Sequence, residues 1–134
     1  MTEQNGNSGP GTEAPNPEAL QAFARRSAEG PVVMLNLLKY KPEGGRDMYA
    51  RYGLAVMPLL LKAGGRIVYA GEAAERLIGQ EDWDSILIVE YPTRQAFLDM
   101  VMSPEYLAVQ NLRDESLVRS VLYATDPTTP GAPG

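Results

Sequence analysis

The spacing of apolar side chains changes repeatedly along this chain, and each change of period marks an element. Leu20, Phe23 and Ala24 recur at helical spacing behind Asn16, a capping residue, and Pro17, which suits a first helical position. Residues 17–28 therefore predict a short amphipathic helix ending at Gly30. Val32 to Leu38 is apolar except for Asn36, is too short and β-rich for a helix, and lies between Gly30-Pro31 and Lys41-Pro42. It predicts a central strand, apolar on both faces. After Gly44-Gly45, the residues Tyr49, Tyr52, Val56, Leu59, Leu60 and Ala63 hold a 3.6-residue period until Gly64-Gly65 stops it, with Pro58 expected to kink or loosen the last turns.

Arg66 to about Leu77 alternates as a second strand, and past the acidic turn at 81–84 the run Ile86-Leu87-Ile88-Val89 makes a third. The two should pair as a hairpin. Thr93 caps a helix carrying Ala96, Phe97, Met100 and Val101, Ser103-Pro104 restarts one carrying Tyr106, Val109, Leu112 and Arg113, and Val118 to Thr125 closes as a fourth strand. Behind the first helix the order is βαββαβ. This is the ferredoxin-like split βαβ arrangement of the α+β class, with both crossovers on one face of a four-stranded antiparallel sheet. The first and third strands are apolar on both faces, so the uncovered face would be a large hydrophobic patch on a monomer. A homodimer that buries the two faces against each other, forming a dimeric α/β barrel, resolves this.

Composition narrows the chemistry. The chain has 134 residues, 17 acidic and 12 basic, for a net charge of −5. That length is one domain, read as residues 16–125 between polar tails at 1–15 and 126–134. It contains neither Cys nor His, which excludes disulfides, thiol nucleophiles, histidine-ligated haem and every Ser-His-Asp or Cys-His machine. The polar start carries no signal-peptide pattern, so a cytoplasmic protein is expected. The longest apolar stretch, Leu54 to Leu61, is broken by Pro58 and far short of a membrane span. Basic residues are scattered and outnumbered, which argues against nucleic acid as a partner.

The succession Arg51-Tyr52, Pro58, Gly64-Gly65-Arg66, Trp83-Asp84, Glu90-Tyr91-Pro92-Thr93, Ala96-Phe97, Ser103-Pro104-Glu105-Tyr106 and Leu112-Arg113 resembles a bacterial family of small uncharacterised proteins with a dimeric α/β-barrel fold. The resemblance spans about residues 31 to 125. It implies a ferredoxin-like protomer and a homodimer, and it brings no established reaction. Relatives by fold include cofactor-free monooxygenases of polyketide quinones, muconolactone isomerases and haem-handling proteins, so function has to be argued from the site. Two departures from the family pattern stand out: Ala63 replaces an aromatic residue before Gly-Gly, and Ala70-Gly71-Glu72 replaces Arg-Gly-Gly.

In folds of this kind a small-molecule pocket lies between helices and sheet, which makes polar residues on apolar faces the candidates. Asn36 interrupts the first strand, either to orient a ligand or as an amide satisfied by backbone or by Arg113. Tyr49 and Tyr52 share a helical face, as pocket walls and donors or as core residues with wet tips. Tyr106 and Arg113, seven residues apart, share another; Arg113 either clamps a carboxylate or pairs with Glu90. Glu90 shares a strand face with Ile86 and Ile88 and, without His, is the best general base available; the alternative is a glutamate at the strand end, solvated or salt-bridged. Trp83 is an aromatic wall or a hairpin anchor. Glu81, Asp82 and Asp84 lack the spacing of a calcium loop, and Gly44-Gly45 lacks the spacing of a nucleotide-phosphate loop, so neither a metal nor a cofactor is expected.

These residues together predict a homodimer that binds a small aromatic or acidic metabolite at Asn36, Tyr49, Tyr52, Trp83, Glu90, Tyr106 and Arg113. Any turnover would be cofactor-free proton transfer or oxygenation, with Glu90 as base. The alternative class is a non-catalytic dimeric interaction or sensory module.

Overall fold

The computed structural model describes residues 14–128. Helix α1 (Pro17–Arg25) precedes β1 (Val32–Tyr40), α2 (Gly45–Lys62), β2 (Arg66–Glu72), β3 (Ser85–Tyr91), α3 (Arg94–Val101), α4 (Pro104–Leu107), α5 (Gln110–Ser116) and β4 (Leu117–Thr125). The strands form one sheet in the order β2-β3-β1-β4. All three pairings are antiparallel, which gives the ferredoxin-like fold with an extra N-terminal helix. The segment 1–13 and residues 129–134, read as tails from sequence, lie outside the described residues.

Local chemistry accounts for the helix starts. Asn16 accepts the Ala19 amide through Oδ1 at 3.1 Å, Thr93 accepts that of Ala96 at 3.0 Å, and Ser103 accepts that of Tyr106 at 3.1 Å. Each side chain satisfies a donor the first turn would otherwise leave unpaired. α1 stops at Arg25 rather than running to residue 28, since 26–28 form a turn. α2 continues through Pro58 to Lys62. Pro58 lies on its exposed side with Leu54, so the carbonyl deprived of a donor is the one facing water. Past α3 the chain breaks twice, giving α4 and α5 as separate short helices. The second strand ends at Glu72 rather than near Leu77, because nothing pairs with residues 73–77 beyond the bond from the Ala73 amide to the Asp84 carbonyl.

The two faces of the sheet differ. On β1, Val32, Met34, Asn36 and Leu38 are buried beneath the helices, whereas Val33, Leu35 and Leu37 between them are only half-buried. The core is built on the helix side from Val32, Met34, Val89 and Tyr91 of the sheet with Tyr52, Leu60, Met100 and Tyr106 of the helices. On the open side, Leu35 lies between Ile88 and Tyr123, and Leu37 lies between Ile86 and Val121. Tyr69 extends the first row onto β2 beside Ile88.

α1 packs outside this core. Phe23 meets Phe97 edge-on with ring centroids 5.6 Å apart. The guanidinium of Arg94 lies over the Phe23 ring at 5.2 Å and donates to Asp126 at 3.0 Å, while Arg26 reaches the same carboxylate at 2.9 Å. Asp126, placed by sequence in the C-terminal tail, thus ties the end of β4 to α1 and α3.

Glycine positions around α2 give a direct test of this packing. A Cβ on Gly45 would stand 2.7 Å from the Ser116 carbonyl oxygen, which already accepts the Lys41 amide at 2.9 Å, while one on Gly53 meets nothing within 4 Å. Gly45→Ala is expected to lower stability by about 1 to 3 kcal/mol, the usual cost of overpacking against an unyielding neighbour. Gly53→Ala should raise it by about 0.5 to 1 kcal/mol by removing glycine freedom from a helix interior. Urea midpoints of the two variants check both signs.

Candidate functional site

The helix-facing side of the sheet gathers five of the seven candidate residues. β1 presents Asn36, α2 presents Tyr49 and Tyr52 one turn apart, the Ser103 cap fixes the start of α4 and with it Tyr106, and α5 carries Arg113. The Tyr52 and Tyr106 hydroxyls are 2.9 Å apart and both side chains are buried. Their rings meet edge-on with centroids 6.2 Å apart, and Tyr49 lies 5.3 Å from Tyr52 on the other side. Tyr40 extends the cluster, 5.6 Å from Tyr49. Asn36 Nδ2 donates to the Leu87 carbonyl at 3.3 Å, so the backbone rather than Arg113 takes its amide.

Arg113 is half-buried, and among the described residues no carboxylate comes within ion-pair distance of it. It lies close enough to Tyr49 to favour the phenolate. Burial outweighs that pull and pushes the Tyr49 phenol up to about 12. Burial, then the neighbouring Tyr106, raises Tyr52 well above the usual phenol range, and burial raises Tyr91 as well. These phenols stay neutral at any physiological pH.

The sign of the pH dependence follows. A phenol whose folded value exceeds its unfolded value near 10 contributes stability that is complete below about pH 10 and is lost as pH rises through the folded value. Absorbance titration at 295 nm should therefore show Tyr49, Tyr52 and Tyr91, of seven tyrosines in all, ionising late and together with unfolding. If all seven ionise near pH 10 with the fold intact, the layer is wetter than its packing implies.

Glu90 and Trp83 are not in this layer. Glu90 stands opposite Val33 and Arg66 on the open face of the sheet, and its Oε1 accepts from Arg66 Nε at 2.7 Å. The sheet separates it from Arg113, so the pairing considered for those two residues does not form, and Glu90 does not reach the tyrosines. Trp83 lies beneath the Arg119 guanidinium, 4.5 Å from the ring centroid. The acidic turn around it is engaged by cations: Lys39 holds Asp82 at 2.9 Å and Asp84 at 3.5 Å, and Arg119 holds Glu81 at 3.0 Å. Among the described residues no cluster of three or more potential ligands comes together to hold a metal ion.

Sequence reading passed over three features. Arg94 is buried, and its Nε has no hydrogen-bond partner among the described residues; a position after a helix cap gives no hint of burial. A cavity of about 390 Å³ opens between α2 and α3–α4, lined in part by Leu59, Lys62, Asp99, Met100 and Glu105. A smaller one of about 200 Å³ lies at the start of α2 beside Tyr40, Lys41 and Arg46. None of the seven candidates lines either cavity. No helix among the described residues is long and apolar enough to cross a membrane.

Comparison with known proteins agrees with this architecture. The RPA0582 protein of unknown function from Rhodopseudomonas palustris is 32% identical, with a TM-score of 0.80 over 90% of this chain and 99% of that one. A dimeric ferredoxin-like protein of unknown function from Bacteroides fragilis is 16% identical, with a TM-score of 0.53 over 73% of this chain and 97% of that one. Another from Jannaschia sp. is 13% identical, with a TM-score of 0.58 over 73% and 100%. The last two share the fold alone. No curated protein matches the chain. The domain of unknown function DUF1330 matches residues 44–125, from the start of α2 to the end of β4, and the chain belongs to that family.

Proposed function

We propose that this protein is a homodimer that binds a small acidic metabolite, aromatic or otherwise, in the layer between helices and sheet of each protomer. The observation that carries the reading is Arg113, a half-buried cation with no carboxylate beside it among the described residues, next to hydroxyls held neutral by burial. A guanidinium so placed suits a planar carboxylate, which it can hold with two parallel hydrogen bonds. Tyr49, close to Arg113, adds a donor from α2. Should turnover accompany binding, these groups stabilise charge developing on an enolate or phenolate oxygen. Glu90, across the sheet, takes no part in it.

The dimeric half of the reading rests on the open face. Leu35, Leu37, Ile86 and Ile88 form an apolar centre there that no helix among the described residues covers, and similar folds from Bacteroides fragilis and Jannaschia sp. are dimers. Pairing two such faces about a two-fold axis removes both patches from water at once.

The test is a thermal-shift screen against carboxylic acids, aromatic acids and quinones, with native mass spectrometry reporting both dimer and ligand mass. A ligand at a hundred times its dissociation constant stabilises by about 2.7 kcal/mol when it binds only the folded state. Acids should shift the transition and their methyl esters should not. Equal shifts from acid and ester would remove the anion from the reading. Silence from the whole library would favour the interaction-module class.

A further inference from the structure

The loop between β2 and β3 carries two neighbouring apolar side chains with almost nothing around them: Leu77 is 89% exposed and Ile78 is 95% exposed. Single exposed apolar residues are ordinary, but an adjacent pair at the tip of a projecting loop is not. Gly79, with φ at 113°, turns the chain at that tip.

The root of the loop is firmly held. Its two limbs are joined by the Ala73 amide donating to the Asp84 carbonyl at 2.9 Å, and the Asp84 amide donates to the Leu38 carbonyl at 2.8 Å. The Asp84 carboxylate accepts the Tyr40 amide at 2.9 Å. Lys39 and Arg119 stand opposite each other in register and, by alternation from Leu37, point to the open face of the sheet. These two cations take Asp82, Glu81 and the Trp83 ring. The returning limb is thereby fastened on the open side, at the end of the face left bare by the helices, and 77–79 projects beyond it as an arm.

We infer that this arm docks on a second copy of the chain, burying Leu77 and Ile78 against the partner as an extension of the sheet-to-sheet contact. The inference rests on the dimeric reading above. It is argued from continuity, since the arm starts where that contact ends, and from area. Four strands of seven to nine residues at about 3.3 Å each, about 4.8 Å apart, give a flat footprint of about 500 Å². A stable interface typically buries about 800 Å² of accessible surface per partner, and Leu77 and Ile78 are exposed apolar surface that the arm adds to this face. Two arms, one from each protomer, add apolar surface on both sides of the two-fold axis.

The test compares two full-length variants by sedimentation velocity over a dilution series. Leu77→Ser/Ile78→Ser changes only exposed side chains, so the protomer should keep its circular dichroism while the dimer Kd rises at least about a hundredfold. A Kd within about threefold of the parent overturns the arm, even where Leu35→Glu on the open face yields monomers and the sheet pairing stands. A Leu35→Glu protein that remains dimeric overturns the sheet pairing and the arm with it. As a second readout, Ile78→Cys introduces the sole thiol in the chain. An environment-sensitive dye attached there should shift to longer wavelength as the dimer is diluted apart; emission unchanged through that transition also overturns the docking.

Discussion

Leu35→Glu is expected to break the proposed sheet-to-sheet dimer and leave a folded monomer. Leu35 occupies the middle of the open face on the central strand, flanked by Ile88 on β3 and Tyr123 on β4. It is only half-buried in the protomer, and Tyr123 beside it is 65% exposed, so a carboxylate there can stay hydrated in an isolated subunit. The cost arises on association. Near a two-fold axis the substitution brings two like charges into the same dry contact, and an unpaired buried charge costs several kcal/mol on each side. The dimer Kd should rise by more than about a thousandfold, read by sedimentation equilibrium, with far-UV circular dichroism close to that of the parent. A neighbouring substitution on the helix-facing side, Met34→Glu, should unfold the protomer instead, because Met34 is 4% exposed and packed in the core. The contrast between adjacent residues separates an interface from a core.

The same alternation explains what could be read from the sequence and what could not. Asn16, Thr93 and Ser103 are capping residues because of bonds made within three positions, so short-range rules sufficed to place the helix starts. The apolar run of β1 marks a central strand because it is β-rich and too short for a helix, and the sheet order β2-β3-β1-β4 follows from the succession of elements. Period cannot say whether a partner strand exists, so alternation continues past Glu72 although among the described residues only the Ala73 amide still bonds across to the returning limb. Nor does period say which face the helices take. Glu90 shares a face with Ile86 and Ile88, and only the packing of α2 and α5 against the other face separates it from Arg113. Sequence alone leaves Trp83 two roles because its neighbour Arg119 lies 36 positions away and is brought to it by the fold.

Arg113→Met provides the corresponding test of the ligand layer. Methionine keeps much of the arginine stem, so the apolar packing of α5 is conserved while the guanidinium is removed. With no carboxylate beside Arg113 among the described residues, its loss breaks no ion pair there, and the apo protein should unfold within about 1 kcal/mol of the parent. Binding should suffer far more. Removing one partner of a desolvated, hydrogen-bonded charge pair typically costs about 2 to 5 kcal/mol, which is roughly a thirtyfold to several-thousandfold loss of affinity for an acid. Arg113→Lys keeps the charge but loses the planar fork, and should fall between the two. Affinity for the methyl ester of the same acid should be nearly indifferent to all three side chains. Calorimetric titration across parent, lysine and methionine forms gives this ordering directly, and an unchanged acid affinity in Arg113→Met would place the anion elsewhere, with the Lys62-bearing cavity between α2 and α3–α4 the next site to examine.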